Sequence, residues 1–189
     1  MIIENNKIQH AYRNLINGNL IIYPTDTLYG LGADATNDKA INKINELKNR
    51  NTPLSIMIES VNKLSDYGEF DNNQFNIFKS IFPGPFTILL KSKNKNISPL
   101  VQNKSKKIGI RIPDNSFCLK LLKKFKKPII TTSVNIHGQS AMNDINEINK
   151  IFCNIDIYKD KINKCSNGST IIDFTENLPK IIREGDGKF

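Results

Sequence analysis

Leu20-Ile21-Ile22-Tyr23-Pro24-Thr25-Asp26-Thr27-Leu28-Tyr29-Gly30-Leu31-Gly32 begins as an apolar run, stops at a proline, and opens into hydroxyls, one carboxylate and two glycines. The run reads as a buried strand feeding a loop. Pro24 has no N–H and a fixed φ, so a strand ladder cannot continue through it, and Gly30 and Gly32 permit angles or approaches that a Cβ forbids. The plain reading is a strand-to-helix turn in which Thr25, Asp26 and Thr27 satisfy their own backbone. The alternative is a ligand loop, and what favours it lies further along the chain.

Outward from this stretch, apolar residues recur with period 3.6 or 2. Helices are expected over 7–17, ended by Gly18, and from Asn37 or Asp38 to Asn49, with Ala40, Ile41, Ile44 and Leu47 on one face. Leu54–Ile58 reads as a strand, Val61–Tyr67 and Asn72–Phe82 as short helices, and Phe86–Lys91 as a strand after Pro83-Gly84-Pro85. Residues 92–107 are lysine-rich and read as a long exposed loop. Ile108–Pro113 is a strand with Arg111 facing away from Ile110 and Ile112, Asn115–Phe125 a helix with lysines outward, and Ile129–Asn135 a strand running into hydroxyls and an amide. A helix around Asp144–Phe152 and strands at Ile155–Tyr158, Thr170–Phe174 and Lys180–Arg183 complete the reading. The fold class expected is α/β (α+β): one domain over residues 1–189, with a large twisted sheet of mixed parallel and antiparallel strands flanked by helices.

The chain has 189 residues, 27 Lys and Arg against 18 Asp and Glu, and a formal net charge of +9. That balance favours an anionic partner, nucleotide or nucleic acid. No run reaches the roughly 20 apolar residues of a membrane span, and the N-terminus lacks a signal-peptide layout, so a cytoplasmic protein with no membrane partner is expected. Cys118, Cys153 and Cys165 form no CxxC pair and read as core or incidental residues, not as a disulfide framework or a metal cluster. With two histidines, His10 and His137, little is available for a serine-histidine hydrolase.

Four places end an apolar element in groups suited to phosphate or carboxylate. They are Thr25 and Thr27, Lys48 and Arg50, Ser133 and Asn135, and Arg183. Lysine supplies a mobile point charge and arginine a planar fork, and in open α/β sheets such ends converge on one crevice. Lys48 and Arg50 would equally serve the dipole of the helix they end. Ser133 and Asn135 would equally cap the segment after them. Arg111, between two isoleucines, must find an anion or water.

Eight motifs in order carry a family resemblance. They are Thr25-Asp26-Thr27-Leu28-Tyr29-Gly30-Leu31-Gly32, Lys48-Asn49-Arg50, Pro53-Leu54-Ser55, Pro83-Gly84-Pro85-Phe86-Thr87, Gly109-Ile110-Arg111-Ile112-Pro113, Thr132-Ser133-Val134-Asn135, Ser169-Thr170-Ile171-Ile172-Asp173 and Arg183-Glu184-Gly185. Together they resemble the YrdC-like family of threonylcarbamoyl-adenylate synthases, in its short single-domain form. The resemblance implies a nucleotidyltransferase that makes threonylcarbamoyl-AMP and pyrophosphate from L-threonine, bicarbonate and ATP. Partner proteins of the threonylcarbamoyl transfer complex would pass the group to the tRNA adenosine next to the anticodon.

It places Lys48, Arg50, Thr131, Ser133, Asn135 and Arg183 around ATP, and Thr25, Arg111 and Ser169 around threonine, with Lys48, Arg50 and Arg111 the catalytic set. Mg²⁺ is expected with the triphosphate, and no dedicated carboxylate cage for a metal is evident. The spacer Asn51-Thr52 is shorter than the family pattern, which bears on where Arg50 sits. The competing reading is a non-catalytic module that binds tRNA or other RNA on a basic concave face. It lacks the interleaved stacking aromatics that single-stranded binding favours.

Overall fold

Ile21-Ile22, Ile56-Met57, Ile129-Ile130 and Ile157-Tyr158 are adjacent pairs in which both residues are fully buried. Successive strand residues point to opposite faces, so each pair requires a sheet covered on both sides. The computed structural model describes residues 1–49, 52–136, 138–163 and 165–189. In chain order the elements are β1 (Ile2–Glu4), α1 (Ile8–Ile16), β2 (Ile21–Tyr23), β3 (Gly30–Gly32), α2 (Asp38–Leu47), β4 (Ser55–Met57), β5 (Gly68–Glu69), α3 (Asn72–Ile81), β6 (Phe86–Ser92), β7 (Lys107–Arg111), α4 (Ser116–Phe125), β8 (Ile129–Ser133), α5 (Ile145–Ile151), β9 (Asp156–Lys159), β10 (Thr170–Asp173) and β11 (Lys180–Arg183). Short 3₁₀ turns lie at Val61–Asp66 and Pro99–Val101.

The strands form one sheet in the order β1-β9-β2-β3-β8-β4-β7-β6-β10-β11, with β5 paired to β6. β1 and β2 run parallel to β9, β4 to β7, and β6 to β10. The remaining pairs are antiparallel. This is the mixed sheet expected from the sequence. Ala11 and Leu15 of α1 and Phe117, Cys118, Leu121, Leu122 and Phe125 of α4 pack on Ile21, Tyr23, Met57, Ile129 and Tyr158. On the other face, α2, α3 and α5 cover Ile22, Ile56, Ile88, Ile130 and Ile157. Among the described residues no helix is long and apolar enough to cross a membrane.

The structure corrects the reading in several places. Gly30-Leu31-Gly32 is not the far side of a strand-to-helix turn but β3, which returns antiparallel to β2 and pairs with β8 beyond it. The strand is silent to pattern reading because two of its three residues are glycine. The phenol ring of Tyr23 lies across it: a Cβ on Gly30 would come within 2.8 Å of that ring, and one on Gly32 within 2.6 Å of the ring and 2.7 Å of the Ile130 carbonyl.

Gly32→Ala is therefore an overpacking change, expected to destabilise by about 1–3 kcal/mol. Urea unfolding with an unchanged m-value measures it, and a loss under about 0.5 kcal/mol would contradict the close approach.

β1 and β5, of three and two residues, are further strands that the sequence reading did not contain. Leu47, read on the apolar face of its helix, is 39% exposed. Residues 92–107 are not one exposed loop: β6 runs to Ser92, and Ser98, Val101 and Gln102 are buried. The Ser98 N–H donates to the Ala35 carbonyl, and the Leu54 N–H donates to that of Val101. Cys118 is core, and Cys153 and Cys165 are exposed. His10 accepts or donates at 2.9 Å with the Tyr158 hydroxyl, a structural contact between α1 and β9. Arg50, Asn51 and His137 lie outside the described residues.

Candidate functional site

The face that α1 and α4 cover changes character along each strand. On β8, Ile129 lies under the helices, while Thr131 and Ser133, of the same parity, lie beyond them. On β4, which runs antiparallel, Met57 lies under the helices and Ser55 beyond, and the register pairs Met57 with Ile129 and Ser55 with Thr131. On the same face β7 presents Gly109 opposite Ser55, and β6, β10 and β11 present Thr87, Ile171 and Arg183, cross-strand partners in turn. The helices leave this half of the face bare, and it floors a cleft of about 520 Å³ walled by the loops after β2 and β8 and before β10. That size is usual for a small-molecule site. No Asp or Glu is among its described lining residues, and its charged groups are Arg111 and Arg183.

Arg111 ends β7 and is buried. Its Nη2 donates to Asp26 Oδ1 at 2.8 Å and to Thr27 Oγ1 at 3.2 Å, while its Nε has no partner. Burial raises the Asp26 carboxyl above its ordinary value, opposed by the charge of Arg111 and the Asp114 N–H that Oδ2 accepts. Thr25 organises its own loop as the plain reading held: its hydroxyl donates to the Leu28 carbonyl at 2.7 Å and accepts from the Thr27 N–H. It also lines the cleft.

On the far wall, Ser169 and Thr87 share a hydroxyl–hydroxyl hydrogen bond of 2.7 Å. Arg183 Nη2 donates to the Ser169 carbonyl at 2.7 Å and lies 3.3 Å from its hydroxyl. Burial first, and then the charge of Arg111, lower the pKa of Arg183. The charge of Arg111 thus reaches Arg183 across a cleft whose described lining holds no acid, an arrangement suited to an anion.

Lys48 behaves differently from the expectation of a cation reaching phosphate. It caps α2 on the opposite layer, is 1% exposed, and passes the end of β8 to donate to the Ser133 carbonyl at 2.6 Å and to Asn135 Oδ1 at 2.5 Å. Asn135 Oδ1 also accepts from the Ser133 hydroxyl, and its amide donates to the Ile136 and Gln139 carbonyls. All four hydrogen bonds of that amide are made inside the protein. Asn135 thus ties itself to the backbone at Ile136 and Gln139, the capping role left open in the sequence, and Lys48 anchors it from behind.

Thr25, Arg111, Thr131, Ser133, Asn135, Ser169 and Arg183 all line the one cleft. Lys48 lies behind it, and Arg50 cannot be placed. Thr27, named with Thr25 in the sequence, also lines the cleft, while sequence reasoning passed over Asp26, Ser55 and Thr87 as site residues. Ser55 and Thr87 carried a signal: each is a polar residue at a strand position whose parity matches a buried apolar face elsewhere. A larger cavity, about 670 Å³, opens at the opposite end of β4 and β8 beside Lys63, Asp66, Tyr67 and Lys126. It is lined by acids and lysines together and holds none of the expected site residues.

The fold is thus one large mixed sheet whose bare half-face floors a cationic, hydroxyl-lined cleft. The chain belongs to the Sua5/YciO/YrdC family, whose model, described as Telomere recombination, matches residues 13–185. It is 37% identical, over 94% of this chain and 85% of the relative, to a Methanocaldococcus jannaschii protein whose name carries the words threonylcarbamoyl-AMP synthase. Among solved structures it is similar to Pyrococcus abyssi Sua5 complexed with L-threonine, at 29% identity and a TM-score of 0.89 over 98% of this chain and 57% of that one. It is also similar to Escherichia coli YciO, at 27% identity and a TM-score of 0.87 over 100% and 95%. The chain therefore spans a little over half of the Pyrococcus protein and nearly all of YciO.

Proposed function

We propose that the protein is a threonylcarbamoyl-AMP synthase, a nucleotidyltransferase that condenses L-threonine, bicarbonate and ATP. The observation that carries this reading is the presence of Arg111 and Arg183 in one cleft whose described lining holds no acid. One guanidinium suits an amino-acid carboxylate and the other a phosphate, with hydroxyls between them. The naming of relatives for this activity, and of a solved relative for its bound L-threonine, supports it.

Threonine's amine and bicarbonate give a carbamate and water. A carbamate oxygen then forms a bond to the α-phosphorus of ATP as the bond to pyrophosphate breaks. Such a transfer needs positioning and charge stabilisation and no covalent nucleophile. Arg111, Thr25 and Ser169 hold threonine. Arg183, Thr131, Ser133 and Gln139 hold the nucleotide, with Lys48 and Asn135 fixing that wall and Arg50 assigned to phosphate by family pattern alone. Mg²⁺ fits as a companion of the triphosphate, because the described lining of the cleft offers no carboxylate to hold it alone. The product would serve the threonylcarbamoyl transfer to tRNA, carried out with partner proteins in the cytoplasm.

The test is pyrophosphate release from ATP. It is expected to need both L-threonine and bicarbonate, and release that is indifferent to threonine would refute the reading.

A further inference from the structure

Asp26 is a buried carboxylate that the assigned roles leave unused. Its side chain is 9% exposed, against 11% for that of Arg111, and the two meet at 2.8 Å. Its two oxygens join three segments: Oδ1 takes Arg111 Nη2 at the end of β7, Oδ2 takes the Asp114 N–H at the approach to α4, and the residue itself sits in the β2–β3 loop. Thr27 holds the same Nη2. The guanidinium is thus gripped at one nitrogen, while Arg111 lines the cleft with an Nε that nothing satisfies. A guanidinium has five N–H donors in a rigid plane, so fixing one corner fixes where all the others point.

We propose that Asp26 is a positioning residue: by holding Arg111 through Nη2 it orients the remaining donors of that guanidinium toward a ligand carboxylate in the cleft. The inference deepens the synthase reading and rests on it for the identity of the carboxylate. Asp26 does not touch the ligand. Arg111 does, and Asp26 sets its plane. A buried lone carboxylate is costly, and Arg111 and the Asp114 N–H offset that cost in the folded protein. The same ion pair therefore serves folding and site geometry together.

The experiment measures the affinity of the full chain for L-threonine and for ATP by calorimetry in wild type, Asp26→Ala, Asp26→Asn, Arg111→Lys and the double variant Asp26→Ala/Arg111→Lys. Asp26→Ala is expected to weaken threonine about tenfold and ATP less than about twofold. Asp26→Asn keeps an acceptor for Nη2 and should recover to within about threefold of wild type. In the Arg111→Lys background, where no fork remains to be aligned, Asp26→Ala should add less than about twofold, the non-additivity of two residues acting as one unit.

Threonine affinity unchanged in Asp26→Ala overturns the proposal. So does an equal loss for ATP, which marks general damage, or a full tenfold loss added on top of Arg111→Lys. Wild-type protein that binds L-threonine but releases no pyrophosphate overturns the synthase reading, while the affinities still decide Asp26. Wild-type protein that binds no L-threonine overturns both.

Discussion

Arg111→Ala is expected to lower kcat/KM for the amino-acid substrate by about 100-fold or more, the largest single effect on activity in the molecule. Truncating one partner of a buried, hydrogen-bonded charge pair costs about 2–5 kcal/mol, and each 1.4 kcal/mol is tenfold. The loss should fall mainly on the KM for threonine, because Arg111 is assigned to a carboxylate that stays charged through the reaction. The substitution also strips Asp26 of its cation. Burial already holds that carboxyl above its ordinary value of 3.8, with Arg111 opposing, so without Arg111 it rises further. A carboxyl whose pKa is raised by folding favours the folded state when protonated and loses that contribution as pH climbs through the folded value. The stability deficit of Arg111→Ala against wild type should therefore be small near about pH 4 and grow toward about pH 8. Asp26→Asn added to it should erase that growth. Chemical denaturation at the two pH values measures this, and a deficit independent of pH would mean that the pair is not the electrostatic unit described.

Lys48→Ala should be the most destabilising substitution at the site. It removes a side chain that is 1% exposed, together with two charge-assisted hydrogen bonds to the end of β8. Cavity formation in buried large-to-small changes costs about 2–5 kcal/mol, and a lost hydrogen bond to a charged group about 1.5–3 kcal/mol. With partial relaxation, a total of about 3–5 kcal/mol is expected. Lys48→Met restores most of the volume and should recover about half of it. In activity, both variants should raise the KM for ATP more than that for threonine, because Ser133, Asn135 and Gln139 lie on the wall that Lys48 anchors. Should Lys48→Ala unfold like wild type while abolishing turnover, its ammonium would be acting on the substrate and not on the loop.

Comparison of the sequence with the fold separates local from collective information. Helix limits were legible because caps are local: the Asn37 side chain accepts the Ala40 N–H at 3.1 Å, and that of Asn115 accepts the Cys118 N–H at 3.1 Å. Strand β3 was not legible, since Gly-Leu-Gly has no pattern of its own and is held by its neighbours β2 and β8 and by the ring of Tyr23. Arg111 was legible as a problem, a cation among isoleucines, but its partner Asp26 stands 85 residues away and no spacing rule joins them. The position of Lys48 was not legible either, for the opposite reason. A cation ending a helix resembles a solvent-facing ligand group, and only the path of the chain around β8 turns it inward.

From the residues alone came the helices, the longer strands, the mixed sheet, the family and most of the residues that meet in the cleft, because side-chain period, capping and motif order are written along the chain. Tertiary structure decided the rest. Which half of a sheet face α1 and α4 leave bare, which guanidinium is gripped by Asp26, and which cation lies behind the wall instead of in it depend on contacts between residues far apart in sequence, and those become definite only when the layers pack.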